Sequence, residues 1–148
     1  MKRICSLLVV SVLALSMLCA CGSKFKTTDA DTVAGILESH DIYDESRGGV
    51  REIEGIKKLE TLTTNNWKCT FVNFGKDAEA CDYEFEREVD RAGTVSRTTD
   101  GNYSVVEADD DTVYRLMIRV DNSYLVLMGG SDDKDDIRDL AREIGYYE

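Results

Sequence analysis

An apolar run at positions 7–18, interrupted only by Ser11 and Ser16, separates the start of the chain from the part able to fold. As a helix it would measure about 18 Å at ~1.5 Å per residue. The hydrocarbon core of a bilayer is about 30 Å thick, so the run is a poor permanent span. Lys2 and Arg3 precede it, and small residues with two cysteines follow it. A basic start, an apolar centre and a small-residue junction are the three parts of a secretory signal segment. The fold is therefore sought after that junction. The 148 residues suit one domain and hardly two. The sequence holds no second apolar span, internal repeat or low-complexity tract.

The junction reads Leu18-Cys19-Ala20-Cys21-Gly22-Ser23. It resembles the lipobox of bacterial lipoproteins. The resemblance implies a diacylglycerol on the Cys21 sulfur and cleavage just before that residue. Leu18 fits the apolar position three before the cysteine, and Ala20 fits the small position beside it. Cys19 occupies a permissive position. One alternative is an ordinary cut near Ala20 that leaves Cys21 unmodified. Another is lipid on Cys19, which would place Leu18 at the small position, where it is too large. Two acyl chains make a stable anchor, whereas one is marginal. The expected organisation is a signal segment at 1–20, a lipidated cysteine and tether at 21–28, and a single extracytoplasmic domain at 29–148. The tether reaches at most about 28 Å at ~3.5 Å per residue. Lys24 and Lys26 flank Phe25 within it. That stretch reads either as a contact with anionic head groups or as a solvated linker.

Periodicity outlines the domain. Val33, Ile36 and Leu37 fall at helical spacing, with Asp29 or Asp31 able to cap a helix over 32–39. Residues 50–64 are ambiguous, with 59–63 reading best as a strand. After an Asn65-Asn66 turn, Trp67, Cys69 and Phe71 alternate with polar residues, which marks a half-buried strand. Val72 and Phe74 point the other way. Ala78, Cys81, Phe85 and Val89 form one stripe of a second helix. A polar link at 91–102 follows. Strands at 103–107, 113–120 and 124–128, joined by short Asp-rich turns, predict an antiparallel meander. Ile137, Leu140, Ala141 and Ile144 stripe a last helix over 134–144, which opens among aspartates and stops at Gly145. The predicted class is α+β, an antiparallel sheet of about five strands with helices packed on it, in the order α-β-β-α-β-β-β-α.

This order behind a lipobox resembles the small lipoproteins of Firmicutes, above all those of anaerobic gut Clostridia. The resemblance rests on the 39–44 helix end, the 67–74 strand running into the Asp77 helix, the Asn102-Tyr103 strand start, and the ending Ile137-Arg138-Asp139-Leu140…Ile144-Gly145-Tyr146. It implies architecture and an envelope location, and it carries no catalytic residue.

Charge narrows the functional classes. The chain carries −11 overall, and removing Lys2 and Arg3 with the signal segment leaves about −13. Such a surface repels nucleic acid. The one histidine, His40, sits beside an apolar stripe and reads as packing or capping rather than catalysis. One histidine and two cysteines beyond Cys21 make a poor zinc set. Cys69 and Cys81, both on predicted inward faces, are either a disulfide pair or two buried thiols. Asp109-Asp110-Asp111 and the aspartates at 132–136 lack the spacing and central glycine of a calcium loop, and read as a turn and a helix start. Gly129-Gly130 lacks the lysine and spacing of a phosphate loop. Twenty-nine acidic residues make a glycosidase-type carboxylate pair uninformative. Tyr43, Trp67, Tyr103, Tyr114, Tyr124, Tyr146 and Tyr147 could include contact residues, though most read as half-buried sheet and helix residues and none is named as a site. No cofactor, metal or catalytic residue is assigned. The expected role is a binding or accessory domain held at the membrane through Cys21, with a small molecule, a peptide or another envelope protein as partner. A carboxylate-dependent enzyme on wall polymers and an assembly factor are the alternatives.

Overall fold

The computed structural model describes residues 25–148, so Cys21 and the signal segment lie outside the described residues. The chain runs through α1 (Ala30–Ser39), β1 (Gly48–Ile53), β2 (Ile56–Leu62), β3 (Lys68–Asn73), α2 (Ala78–Ala92), β4 (Ser96–Asp100), β5 (Tyr103–Asp109), β6 (Val113–Val120), β7 (Ser123–Gly130) and α3 (Lys134–Ile144). Aspartates open the first two helices. Asp29 accepts from the Thr32 N–H at 2.8 Å and Asp77 from the Ala80 N–H at 2.9 Å. Gly145, in the left-handed region at φ 86°, ends α3.

The strands form one antiparallel sheet in the order β1-β2-β3-β7-β6-β5-β4. This corrects the predicted architecture. The fold is α+β with seven strands rather than about five, in the order α-β-β-β-α-β-β-β-β-α. The two additional strands, β1 and β4, are the sheet's edges. Every residue of β4 is exposed, and β1 has no buried residue, so neither shows the alternation that reveals a half-buried strand. The β1–β2 turn is Glu54-Gly55, both at positive φ (53° and 82°), a hairpin geometry commonly signalled by Asn-Gly.

Both faces of the sheet are covered. On the first face α1 and α3 press Val33, Leu37, Ile137 and Leu140 onto Leu59, Phe71, Leu116 and Leu125. On the second face α2 sets Cys81, Phe85 and Val89 on Val72, Met117, Tyr124 and Val126. The central strands accordingly carry unbroken apolar runs, Leu116-Met117-Ile118 and Leu125-Val126-Leu127, as strands covered on both sides must.

Residues 25–28 lie against the domain. Phe25 is 8% exposed and stacks on Tyr103, with centroids 4.0 Å apart. The Thr28 N–H donates to the Tyr146 hydroxyl at 3.2 Å, and Asn73 Nδ2 donates to the Thr28 carbonyl at 3.1 Å. No helix among the described residues is long and apolar enough to cross a membrane.

Candidate functional site

A cleft opens on the second face because α2 does not span it. The helix lies chiefly over β6 and β7, and β2 and β3 extend beyond it. Register decides what lines the opening. Leu59, Thr61, Cys69 and Phe71 turn to the first face, so Lys58, Glu60, Lys68 and Thr70 turn to the second. Met117, Tyr124, Val126 and Met128 supply the floor from β6 and β7, and Arg115 its rim. Glu88 and Arg91, near the end of α2, close one wall. The cleft holds ≈ 560 Å³, within the range of small-molecule sites.

Four cations and two carboxylates meet there. Lys58 Nζ lies 2.8 Å from Glu60, Lys68 Nζ lies 4.0 Å from the same carboxylate, and Arg91 pairs with Glu88 at 2.7 Å. The hydrogen bond from Lys58, reinforced by the Lys58 and Lys68 charges, holds the Glu60 carboxyl below its ordinary value against the opposing effect of burial. Arg115 differs. Its Nε donates to the Met128 sulfur at 3.2 Å and its Nη1 to the Arg91 carbonyl at 3.4 Å. Among the described residues no carboxylate lies within ion-pair distance of it.

Two hydroxyls in the floor make no hydrogen bond among the described residues: those of Thr70 and Tyr124. Tyr124 is 6% exposed, and its ring is held between Phe74 and Phe85 at centroid distances of 6.0 and 6.2 Å. Burial, then the charges of Glu88 and Glu84, push its phenol well up, so it stays a protonated donor at neutral pH. The buried side-chain atoms without a hydrogen-bond partner among the described residues are Thr61 Oγ1 and Arg119 Nε, so the Thr70 and Tyr124 hydroxyls open to solvent in the cleft. An occupant of the cleft can take the place of that solvent.

The residues singled out in the sequence lie elsewhere. Cys69 belongs to the first core and Cys81 to the second, with the sheet between them. Both are free thiols, and burial pushes each up to about 12. The disulfide alternative assumed a single inward side, whereas β3 and α2 contribute these sulfurs to opposite faces. His40 pairs with Glu143 at 2.6 Å, tying the end of α1 to α3. Asp110 accepts from the Val113 N–H at 2.8 Å within its turn, and Asp109 accepts from Ser131 at 2.8 Å. Asp133 accepts from the Trp67 indole at 2.8 Å. No group of three or more His, Cys, Asp or Glu among the described residues is arranged to hold a metal ion.

Glu107 on the first face is the other concentrated polar feature. It accepts from Tyr114 at 2.9 Å, from Tyr147 at 2.7 Å and from Arg138. Burial works to raise its carboxyl, but these hydrogen bonds prevail and hold it below the ordinary value. This carboxylate is ionised and its acceptor sites are engaged within the fold. It is not positioned as a general acid.

The sequence offered one signal for the cleft, cations recurring at strand positions of an acidic chain. In the sequence Lys68 is only one of the polar residues alternating with the buried side of its strand, and nothing singles out Lys58 or Arg115. Their convergence depends on β2, β3 and β6 lying within one sheet, which local spacing does not encode.

No family model and no curated protein matches the chain. A crystal structure of a GTP binding regulator from Thermotoga maritima is similar in fold, with a TM-score of 0.54 and 15% identity, over 80% of this chain and 88% of that one.

Proposed function

We propose that the mature protein is a non-enzymatic binding domain, tethered by lipid on Cys21 to the extracytoplasmic face of the cell membrane, with the second-face cleft as its binding site. The observation that carries the binding role is the cleft of ≈ 560 Å³, in which the Thr70 and Tyr124 hydroxyls and an excess of cations converge on an apolar floor. An apolar floor with a few convergent polar groups is the usual composition of a ligand site. The cleft contains no histidine or cysteine to serve as base or nucleophile. The tether is supported by the lipobox-like Leu18-Cys19-Ala20-Cys21. The Thermotoga protein's description as a regulator accords with binding rather than chemistry. Its nucleotide is not carried over, because this chain lacks a glycine-rich phosphate loop.

Intact-mass analysis of the detergent-extracted protein from its native host tests the tether. A chain starting at Cys21 with added diacylglycerol mass is expected, and a released, unlipidated chain overturns it. Native mass spectrometry on the same preparation tests the cleft. A non-covalent adduct on the wild type should be absent from Thr70→Trp, whose side chain fills the floor. Turnover of wall polymers by the purified protein would replace this reading with the enzyme alternative.

A further inference from the structure

We propose that the cleft takes a small anion bearing a carboxylate or phosphate group, seated on Arg115 with hydrogen bonds from Tyr124 and Thr70; this rests on the cleft being the binding site. The donors that face the cleft are complementary to an anion. Tyr124 is a protonated phenol, Thr70 can donate, and the Arg115 guanidinium, with its Nε on the Met128 sulfur and its Nη1 on the Arg91 carbonyl, keeps its Nη2 and its charge for an oxygen of a carboxylate or phosphate. The two carboxylates that a cationic ligand would need are already occupied: Glu60 by Lys58 and Glu88 by Arg91. Four cations against two carboxylates make this a positive enclosure on a chain of net charge −11. A concave site of one sign focuses field lines and raises the local concentration of the opposite ion.

The source of the anion follows from topology. Residues 25–28 are fastened where β6 ends and β7 begins. Phe25 is stacked on Tyr103, and Thr27 donates to Asn122 at 3.2 Å. The cleft runs along the same hairpin from Tyr124, beside the turn, to its rim at Arg115 and Met128, about 17 Å from the turn at ~3.4 Å per residue. A membrane holding the chain at Cys21 therefore lies toward the end opposite the rim, and a soluble anion is the better occupant than a lipid head group.

The chain contains four methionines, and two of them, Met117 and Met128, line the cleft. Met1 and Met17 belong to the signal segment. Mature protein labelled at its methionine methyls, in a neutral detergent at low salt, should give two signals that both report on the site. Titration with inorganic phosphate and with citrate should move them saturably in the millimolar range. Arg115→Gln should weaken the response roughly tenfold or more, as loss of a charge-assisted contact does, and Tyr124→Phe should weaken it less. Unchanged Trp67 fluorescence in both variants shows that the fold is retained.

No response to phosphate or citrate, with a saturable response to neutral sugars or amines, overturns the anion and leaves the cleft as a binding site. No response to any of these, with a ligand binding elsewhere, overturns both. A response to phosphatidylglycerol vesicles, but to neither free anion nor phosphatidylcholine vesicles, supports the anion chemistry and overturns the soluble source. Equal response in wild type and Arg115→Gln overturns the assignment.

Discussion

Gly129 shows how tightly single residues are held in this domain. A Cβ added there would lie 2.6 Å from Trp67 Cδ1 and 2.9 Å from Ile137 Cδ1. Trp67 has no room to retreat while its indole donates to Asp133 at 2.8 Å. Gly129→Ala should cost about 1–3 kcal/mol, the usual range for overpacking. Urea unfolding followed by fluorescence of the single tryptophan would measure it. Glu107 makes a different prediction. Its folded carboxyl titrates below the ordinary 4.5, so its stabilising contribution is complete above that value and is lost as pH falls through the lower folded one. The urea midpoint should fall as the pH is lowered below about 4.5, and Glu107→Gln should show a flatter profile there. Cys69 and Cys81 should resist alkylation in the native protein at pH 8, because burial raises both thiols. Denaturation should release both, and reductant should leave gel mobility unchanged. A mobility shift would show a bond that the fold described here does not allow. The burial of both cysteines was legible in their stripes. Their separation was not, because a stripe shows that a side chain faces inward but not which side of a doubly covered sheet it reaches.

At the scale of elements, the legible parts are those with a buried face. Alternation around Cys69 and Phe71 revealed β3, and the Phe85 and Ile137 stripes revealed α2 and α3. The edges gave no such signal. β1 and β4 pair on one side only, and edge strands tolerate the polar and charged residues that hide them. β1 also depends on backbone rather than side chains. Gly48 sits at φ 151° and ψ −177°, a region essentially confined to glycine, and an added Cβ would lie 2.1 Å from the Glu60 carbonyl oxygen. Gly48→Ala should therefore cost roughly 1–3 kcal/mol and release β1 from β2. Hydrogen exchange should quicken along β1 and at β2 amides paired with it, while β5, β6 and β7 keep their protection. Uniform acceleration across the sheet would mean that β1 is not a separable edge. The cleft depends on the same asymmetry between edge and centre. Helix α2 is long enough to cover the β6–β7 side of its face, and the Lys58 and Lys68 side remains open.

At the scale of the whole molecule, the contact of Phe25 with the sheet bears on how the domain would stand on a membrane under the proposed anchor. If Cys21 carries the lipid, four residue steps separate it from Phe25, a reach of at most about 14 Å at ~3.5 Å per residue. From Phe25 onward the backbone is fastened to Tyr103, Tyr146 and Asn73. The tether is then shorter than the 21–28 segment read from sequence, where Phe25 was one aromatic residue between two lysines with no visible partner. Tyr103 lies 78 positions further on, and only the folded sheet brings the two rings together. With the proposed lipid on Cys21, a short tether on one end of the β6–β7 hairpin would keep the acidic body near an anionic surface in a restricted orientation, with the Arg115 rim directed away from it. Phe25→Ala should loosen this fastening locally. Lys26 is exposed, yet the backbone around it is held, so trypsin should cut slowly after Lys26 in vesicle-bound wild type. The variant should be cut at least several-fold faster, releasing the domain, with little change in its melting temperature, because terminal segments open independently of a core. Tyr103→Leu should behave in the same way if the stacked pair is what holds the segment. Equal cleavage rates in all three proteins would show that residues 25–28 move freely, and the orientation argued from them would then fail.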